Sequence, residues 1–170
     1  MGRDDAINEK ILTNNKYSGI MPKSINYIWS TVGNKRQKFY IKVSFLEIYN
    51  EQINDLLNPM NSNLRIRWDQ KQGFFVEGLL VIECKKQEDI VEIILQGTKN
   101  RKKGSHDLNK DSSRSHSILT LYLISEFQSS VESYKKYGKI SFVDLAGSER
   151  LKETHSKRGM VKETGNIHLV

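Results

Sequence analysis

The stretch Ile140-Ser141-Phe142-Val143-Asp144-Leu145-Ala146-Gly147-Ser148-Glu149-Arg150 contains the pattern that decides the fold. An apolar-rich strand sequence runs directly into Asp144, and Gly147 follows three positions later. A buried strand that ends in an acid is typical of α/β proteins, whose ligands bind at the carboxyl edge of the sheet. Asp144 is suited to hold Mg²⁺ through the water shell that this ion keeps, and Gly147 lets a phosphate approach a backbone N–H. The stretch therefore predicts a phosphate-binding edge.

A hydroxyl-rich stretch, Ser112-Ser113-Arg114-Ser115-His116, comes earlier in the chain. Its hydroxyls are ligands for Mg²⁺ and hydrogen-bonding groups for a phosphate or an attacking water. Arg114 supplies a fixed cation, and Glu149 is the carboxylate that we expect it to pair with. Such a pair would join two loops when a terminal phosphate draws them together. The alternative from the residues alone is a helix cap followed by a strand, with Arg114 on the surface.

The first part of the chain predicts a polar start followed by helix and strand. Residues 1–18 are polar and aperiodic, so we expect an irregular segment. Apolar residues then recur at helical spacing after Gly19, which predicts a helix. Residues 38–48 alternate between apolar and polar side chains, as a strand does. Residues 50–57 predict a short helix, because three apolar side chains there share one face.

The rest of the chain continues the alternation of helices and strands. Short strands are expected over residues 64–82, and a helix over residues 87–96 that ends at Gly97, where a C-terminal cap belongs. Residues 117–125 and 140–143 are apolar on both faces, as in interior strands. This order predicts an α/β fold with a mixed β-sheet flanked by helices.

Composition limits the partners and the compartment. The 170 residues carry a net charge of +7, which predicts an acidic partner: nucleic acid, an acidic protein polymer or anionic lipid. The single cysteine, Cys84, cannot form an internal disulfide, so a reducing compartment is expected. The sequence has no apolar run of membrane-spanning length and no signal-peptide pattern. We therefore expect a soluble, cytoplasmic protein that does not bind membranes.

Taken together, the hydroxyl-rich stretch with Asn109 before it and the Asp144–Arg150 stretch after it resemble the kinesin motor domain and its two nucleotide-sensing switches. Further stretches are similar to that family in the same order: Gly19-Ile20-Met21-Pro22, Val43-Ser44-Phe45-Leu46-Glu47-Ile48-Tyr49-Asn50-Glu51 with Asp55-Leu56-Leu57, and Gly97 with Asn100-Arg101. The resemblance covers roughly residues 19–168. It implies a P-loop NTPase fold of the kinesin type, present in part over residues 19–170, after the irregular segment 1–18.

The resemblance also implies cofactors, a partner and roles for individual residues. ATP and Mg²⁺ would be the cofactors, microtubules the partner, and the microtubule cytoskeleton the location. The residues implied in nucleotide binding are Asn109, Ser112, Ser113, Asp144 and Gly147, with Ser113 and Asp144 serving Mg²⁺, Asp144 through water. Those implied in catalysis and switching are Ser112, Ser113, Arg114, Gly147 and Glu149, with Arg114 and Glu149 paired. The cations implied at the microtubule surface are Arg150, Lys152, Lys157, Arg158 and Lys162.

The sequence departs from the family at the phosphate loop. It contains no G-x-x-x-x-G-K-[ST], and it stops inside what resembles the helix after the second switch. Such a loop supplies charge-assisted hydrogen bonds worth about 1.5–3 kcal/mol each. Losing roughly three of them would weaken nucleotide binding more than about a thousandfold. We therefore expect that the chain alone neither binds ATP tightly nor hydrolyses it at a motor rate. The resemblance also implies that the strand of the phosphate loop would pair with residues 140–143, so we expect those residues to form an exposed sheet edge.

Three hypotheses for function stay open. The chain is part of an ATP-driven microtubule motor, a microtubule-binding fragment without ATP turnover, or a basic module for nucleic acid. The third is the least favoured, because aromatic residues do not interleave the basic tracts at residues 99–103 and 150–162. His116 and Cys84 are expected to be structural.

Overall fold

The structure, a computed structural model, describes residues 19–32, 38–107, 114–128 and 132–147. Along these residues the elements are α1 (Ile20–Val32), β1 (Lys38–Tyr49), β2 (Gln52–Asp55), β3 (Ile66–Asp69), β4 (Gly73–Val76), β5 (Ile82–Cys84), α2 (Gln87–Asp107), β6 (His116–Gln128) and β7 (Ser133–Asp144). The described residues combine helices and strands as predicted, with five strands in succession between α1 and α2. The predicted irregular segment, residues 1–18, lies outside the described residues.

The strands form one larger sheet and one separate hairpin. The larger sheet has the order β2-β1-β6-β7, with β5 paired to β1, and β3 pairs only with β4. Both β2 and β5 run antiparallel to β1, as do the two strands of the separate hairpin to each other. Because β7 comes last in the order of described strands, the prediction of an exposed edge there is confirmed.

The residues fall into two compact units, of which the first comprises Met1–Val43, Val81–Gln96 and Thr120–Phe142. In this unit α1 forms where it was predicted, and an amide hydrogen bond between Asn26 and Gln87 links it to the start of α2. The buried apolar side chains of the unit are Ile25, Ile41, Val43, Cys84, Ile90, Ile93, Ile94 and Leu121. Burial, with Asp89 and Glu83 nearby, raises the pKa of Cys84 to about 11, so its thiol stays protonated and inert at neutral pH.

The second unit comprises Ser44–Leu80, Gly97–Leu119 and Val143–Val170. Its first feature is a hairpin of β1 and β2 in which Tyr49 pairs with Gln52. The prediction of a helix over residues 50–57 is therefore wrong. Asn50 and Glu51 have φ of 49° and 62°, and positive φ at both central residues makes the two-residue turn that suits a right-twisted hairpin.

Hydrogen bonds to the side chain of Asp55, and not a helix, hold the loop that follows β2. One of its carboxylate oxygens accepts hydrogen bonds from the backbone N–H of Leu57 (2.8 Å) and Asn58 (3.1 Å). The other accepts from the N–H of Leu80 at 2.8 Å, across 25 residues of sequence. Because Asp55 is buried, these donors compensate the carboxylate for its lost water.

The end of the second helix also differs from the prediction. α2 does not stop at Gly97 but continues to Asp107. Gly97 is needed for another reason: a Cβ atom built on it would lie 2.2 Å from Cδ1 of Phe45, a buried residue of β1. The glycine thus permits close approach of helix and strand and does not serve as a cap.

Strands β6 and β7 are longer than the predicted apolar cores. The first half of β6 is buried, which confirms an interior strand at residues 117–121. β7 begins at Ser133, and most of its residues are exposed, so the prediction of interior burial there is wrong. Among the described residues, neither α1 nor α2 combines the length and apolarity that crossing a bilayer requires.

Candidate functional site

The start of β6 and the end of β7 carry the predicted site residues that the structure describes. Arg114 lies two positions before His116, the first residue of β6, and is half-buried. Asp144 is the last residue of β7, and Gly147 follows it. The other predicted site residues lie outside the described residues: Asn109, Ser112, Ser113, Glu149, Arg150, Lys152, Lys157, Arg158 and Lys162. The pairing of Arg114 with Glu149 therefore stays a prediction.

One guanidinium, that of Arg101 in α2, connects the two strand ends. Its Nη1 donates to Oδ2 of Asp144 at 2.9 Å and to Oγ of Ser117 at 3.1 Å. Its Nη2 donates to the carbonyl oxygen and Oγ of Ser115, at 3.0 and 3.2 Å. The planar fork of arginine suits such a set of acceptors, which a single lysine ammonium would not match. Asp144, the acid predicted to hold Mg²⁺, is thereby joined to the start of β6.

A second carboxylate balances the charge of this guanidinium. Oε1 of Glu47, in β1, lies 3.5 Å from Nε of Arg101, a charge contact without hydrogen-bond alignment. The side chains of Arg101 and Glu47 are 14% and 11% exposed, whereas that of Asp144 is 70% exposed. A buried cation needs a nearby anion, and Glu47 supplies it from inside the protein. We call these residues, Arg101 with Glu47, Ser115, Ser117 and Asp144, the Arg101 cluster.

The close packing at Gly97 explains why Arg101 reaches Glu47. Gly97 and Arg101 are four residues apart and share a face of α2, about 6 Å apart along the helix axis. Phe45 and Glu47 are two residues apart and share a face of β1, about 6.7 Å apart along the strand. Because the two spacings match, the contact of Gly97 with Phe45 sets Arg101 beside Glu47.

A second side chain links the strand ends. Nδ1 of His116 accepts a hydrogen bond from the backbone N–H of Ala146 at 3.0 Å. The other ring nitrogen, Nε2, is buried and has no hydrogen-bond partner among the described residues. His116, expected to be structural, thus fixes the backbone directly before Gly147.

The groups around Asp144 fit a hydrated Mg²⁺ better than a metal ion held directly by several protein side chains. Only one of its oxygens is bound by Arg101, and the side chain is largely exposed, so the carboxylate is accessible. Within the part of the chain that the structure describes, no three His, Cys, Asp or Glu side chains gather as metal ligands. A lone carboxylate suits Mg²⁺, which keeps several waters and takes its other ligands from phosphates.

Sequence reasoning missed Arg101, Glu47 and the role of His116. Arg101 was visible only as one cation of a basic tract and as part of a family-like stretch. The spacing of Gly97 to Arg101 and of Phe45 to Glu47 was available, but nothing local pairs residues more than fifty positions apart. Contacts of this range are set by the fold, so the sequence pattern alone could not supply them.

Comparison with known proteins gives one consistent result. Residues 5–169 match the family described as the kinesin motor domain. The chain is 38% identical over 160 residues to kinesin-like protein KIN-12E of Oryza sativa subsp. japonica, which covers 90% of this chain and 8% of that protein. It is 36% identical over 156 residues to kinesin-like protein KIF15 of Mus musculus, covering 88% of this chain and 11% of that protein.

A solved structure shares the fold. It is described as "Structure of a fast kinesin: Implications for ATPase mechanism and interactions with microtubules". The superposition has a TM-score of 0.81 at 29% identity and covers 91% of this chain and 44% of that one. The predicted fold, a mixed sheet with helices of the kinesin type, present in part, is thereby confirmed. The chain spans only a small part of the length of the relatives that it matches.

Proposed function

Because the chain belongs to the kinesin motor domain family, we propose that it forms the nucleotide-sensing part of an ATP-driven microtubule motor. The chain would also carry part of the microtubule-binding face and act at the microtubule cytoskeleton. One observation supports the proposal above the others. Ser115 and His116, the last residues of the hydroxyl-rich stretch, are joined to Asp144 through Arg101 and to the backbone N–H of Ala146 through the His116 ring. A nucleotide that bound one of these segments would act on the other through these contacts.

The nucleotide would be held by residues of both segments. Asn109, Ser112 and Ser113 would contact phosphate, and Ser113 and Asp144 would hold Mg²⁺, the latter through water. The bound ion neutralises phosphate charge. Gly147 would offer its backbone N–H to the terminal phosphate. The fit of Asp144 to a hydrated ion supports this assignment, because its carboxylate is exposed and has one oxygen in use.

Arg114 and Glu149 would form the latch between the two segments. Arg114 lies just before β6. Its neighbour Ser115 accepts a hydrogen bond from Arg101, which also binds Asp144 at the end of β7. Glu149 follows Gly147 by two positions, so a pair with Arg114 would close the site around a terminal phosphate. Segments that a γ-phosphate orders and that hydrolysis releases are a known switching device.

Microtubule binding is proposed for the cations after the second segment: Arg150, Lys152, Lys157, Arg158 and Lys162. The net charge of +7 suits an acidic track. The test is co-sedimentation of the full 170-residue chain with microtubules after substitution of all five by glutamine. Binding should fall on the order of tenfold, because clustered charge raises encounter rates by at least that factor.

A matched control keeps the total charge change equal. It replaces five exposed lysines elsewhere: Lys23, Lys38, Lys71, Lys85 and Lys99. Microtubule binding should persist in this variant. Equal losses in the two variants would show that only net charge matters and would contradict the assigned face.

Two other functions are separated by nucleotide and by competition. A microtubule affinity that is the same with ADP and with a non-hydrolysable ATP analogue, both at millimolar concentration, would support the fragment without turnover. A nucleic-acid partner is tested by a separate competition experiment, because β7 places exposed tyrosines among lysines: Tyr134, Lys135, Lys136 and Tyr137. Single-stranded DNA that displaces the chain from microtubules at equal phosphate concentration would favour that third function.

A further inference from the structure

Strand β7 has one side that no described strand covers. It is last in the order β2-β1-β6-β7, and none of its twelve residues is fully buried. A strand at a sheet edge presents a row of unpaired N–H and C=O groups, which pair readily with a strand of another chain. The outer side of β7 is therefore a surface on which a further strand can bind.

An apolar groove lies beside β7, and all the residues that line it belong to the first compact unit. It has a volume of about 630 Å³ and is formed by α1 together with Ile140 of β7. Ile20 and Tyr27 of α1 line this groove and are 79% and 72% exposed. Contiguous exposed apolar surface of this kind is typical of sites where proteins associate.

The sequence of β7 restricts how two copies of this strand can pair. Two edge strands related by a twofold axis run antiparallel, and directly opposite residues lie on the same face of the sheet. Because side chains alternate between the faces, only residues an even number of positions apart can be opposite each other. Asp144 is the one acid in β7, and Lys136 is the one lysine of the strand at an even separation from it.

One register therefore places opposite charges across from each other, and symmetry makes this pair occur twice. With Lys136 opposite Asp144, the axis passes beside Ile140, which lies opposite its own copy. The other directly opposed pairs are Gly138 with Phe142, Tyr137 with Val143, and Lys139 with Ser141. An aromatic ring across from an edge glycine, and an aromatic side chain across from a β-branched one, both stabilise paired strands.

Neighbouring registers are less favourable for reasons of charge. Pairing centred on Lys139 places this lysine opposite its own copy, and pairing centred on Tyr137 places Lys135 opposite Lys139. Like charges that lie directly opposite are destabilising. Pairing centred on Gly138 or on Ser141 brings no opposite charges together. Charge thus selects the register centred on Ile140.

We propose that a second copy of this chain binds along β7, so that the two strands pair antiparallel about Ile140 in a symmetric dimer. Two Lys136–Asp144 pairs set the register, and the grooves beside Ile140 meet at the twofold axis and bury the exposed apolar side chains of α1. The proposal goes beyond the proposed nucleotide site and does not rest on it.

The first test reverses the charges and uses sedimentation equilibrium of the full 170-residue chain at micromolar concentrations. Lys136→Asp sets acids opposite each other twice, and Asp144→Lys sets lysines opposite each other twice. Each change turns two attractive pairs into repulsive ones, so the dissociation constant of the dimer should rise on the order of tenfold or more. Circular dichroism shows whether each variant is folded.

Mixing the two variants gives the sharpest result. In a dimer of one Lys136→Asp chain with one Asp144→Lys chain, both opposed positions again carry opposite charges, so the equimolar mixture should dimerise as the unsubstituted chain does. The matched control is Lys139→Asp, which makes the same change of charge in the same strand but lies opposite Ser141. Its dissociation constant should stay close to that of the unsubstituted chain.

A disulfide test fixes the register independently and serves if Asp144→Lys does not fold. Opposite Cα atoms in antiparallel strands lie about 4.5–5.5 Å apart, within the range that a disulfide spans. Ile140→Cys should therefore link two copies under mild oxidation, whereas Phe142→Cys, which lies opposite Gly138, should not. Cys84 does not compete, because it is buried and its pKa is raised to about 11.

Each outcome supports or overturns the dimer. An unsubstituted chain that stays monomeric shows that something other than a second copy covers β7, which overturns the proposal. Weakening by Lys139→Asp equal to that by Lys136→Asp means that general charge is responsible, and folded variants that fail to associate when mixed contradict the Lys136–Asp144 pairing. Cross-linking through Phe142→Cys in place of Ile140→Cys overturns the register. None of these results bears on nucleotide binding, so the proposed function is tested separately.

Discussion

Strands β1 and β7 are both twelve residues long, yet one is mostly buried and the other mostly exposed. Each contributes a carboxylate to the same guanidinium, Glu47 from β1 and Asp144 from β7. The exposure of the two side chains differs sixfold, 11% against 70%. The difference teaches that a single cation can be balanced by one acid inside the protein while it contacts another at the surface. β1 holds Arg101 in place, and β7 presents its acid to solvent.

The largest expected effect on stability comes from removing the buried partner. Glu47→Gln leaves a buried guanidinium without its buried neutralising charge, and such losses cost about 3 kcal/mol or more. Asp144→Asn removes an exposed partner of the same cation and should cost less than about 1 kcal/mol. Urea unfolding of the two variants measures both values. Equal losses would contradict the division of roles between β1 and β7.

Two glycines allow the second comparison. Gly97→Ala forces a methyl group against Phe45 of β1, and overpacking of this kind costs about 1–3 kcal/mol. A gain of about 1 kcal/mol in helix propensity offsets part of that, so we expect a net loss of about 1 kcal/mol. Thermal unfolding measures the loss.

The control for this pair lies in β7. A Cβ on Gly138 would meet Leu123 at 3.5 Å or more, which is ordinary contact. Gly138→Ala should therefore change stability by less than about 0.5 kcal/mol. A Gly97→Ala variant as stable as Gly138→Ala would show that the close approach of α2 to β1 is not required.

The smallest expected effect is a pH-dependent change in stability from the ion pair between Glu126 of β6 and Lys135 of β7. The side-chain hydrogen bond from Lys135 lowers the pKa of Glu126, so this carboxylate contributes stability at pH values above the ordinary range of glutamate. That contribution is lost as the pH falls through the lowered pKa, because the protonated group no longer pairs. Glu126→Gln should thus lower the Tm slightly at pH 7 and not at all at strongly acidic pH.

The matched variant for the pH series is Glu92→Gln, an exposed carboxylate in α2. Its Tm difference from the unsubstituted chain should not follow the pH curve of Glu126→Gln. A Glu126→Gln difference that grows as the pH falls would give the wrong sign and contradict the pairing of Glu126 with Lys135.

Local sequence patterns predicted most elements correctly. They failed where the spacing of the apolar residues fits both a helix and a strand. α1 and β1 were predictable, because their apolar residues recur at spacings that only one secondary structure fits. At residues 50–57 the apolar positions Ile53, Leu56 and Leu57 fit a helix, but positive φ at Asn50 and Glu51 turns the chain into a hairpin. Glutamate rarely takes that conformation, so the turn had no clear sequence signal.

The candidate site was predictable only in part. Asp144 and Gly147 followed from a strand that ends in an acid, a pattern contained in a few adjacent residues. The Arg101 cluster joins residues of β1, α2, β6 and β7, and its geometry depends on a glycine that resembled a helix cap. The same residue type serves caps and close contacts, and only the packed structure tells the two apart.

Hydrogen exchange with and without Mg²⁺ and a non-hydrolysable ATP analogue tests the central claim most directly. The claim is that nucleotide acts on the joined ends of β6 and β7 while β1 stays fixed. At millimolar nucleotide, amide exchange should slow at residues 115–117 and 145–147, with no change at residues 43–47. Unchanged exchange at the two strand ends, or equal slowing in β1, would contradict the account.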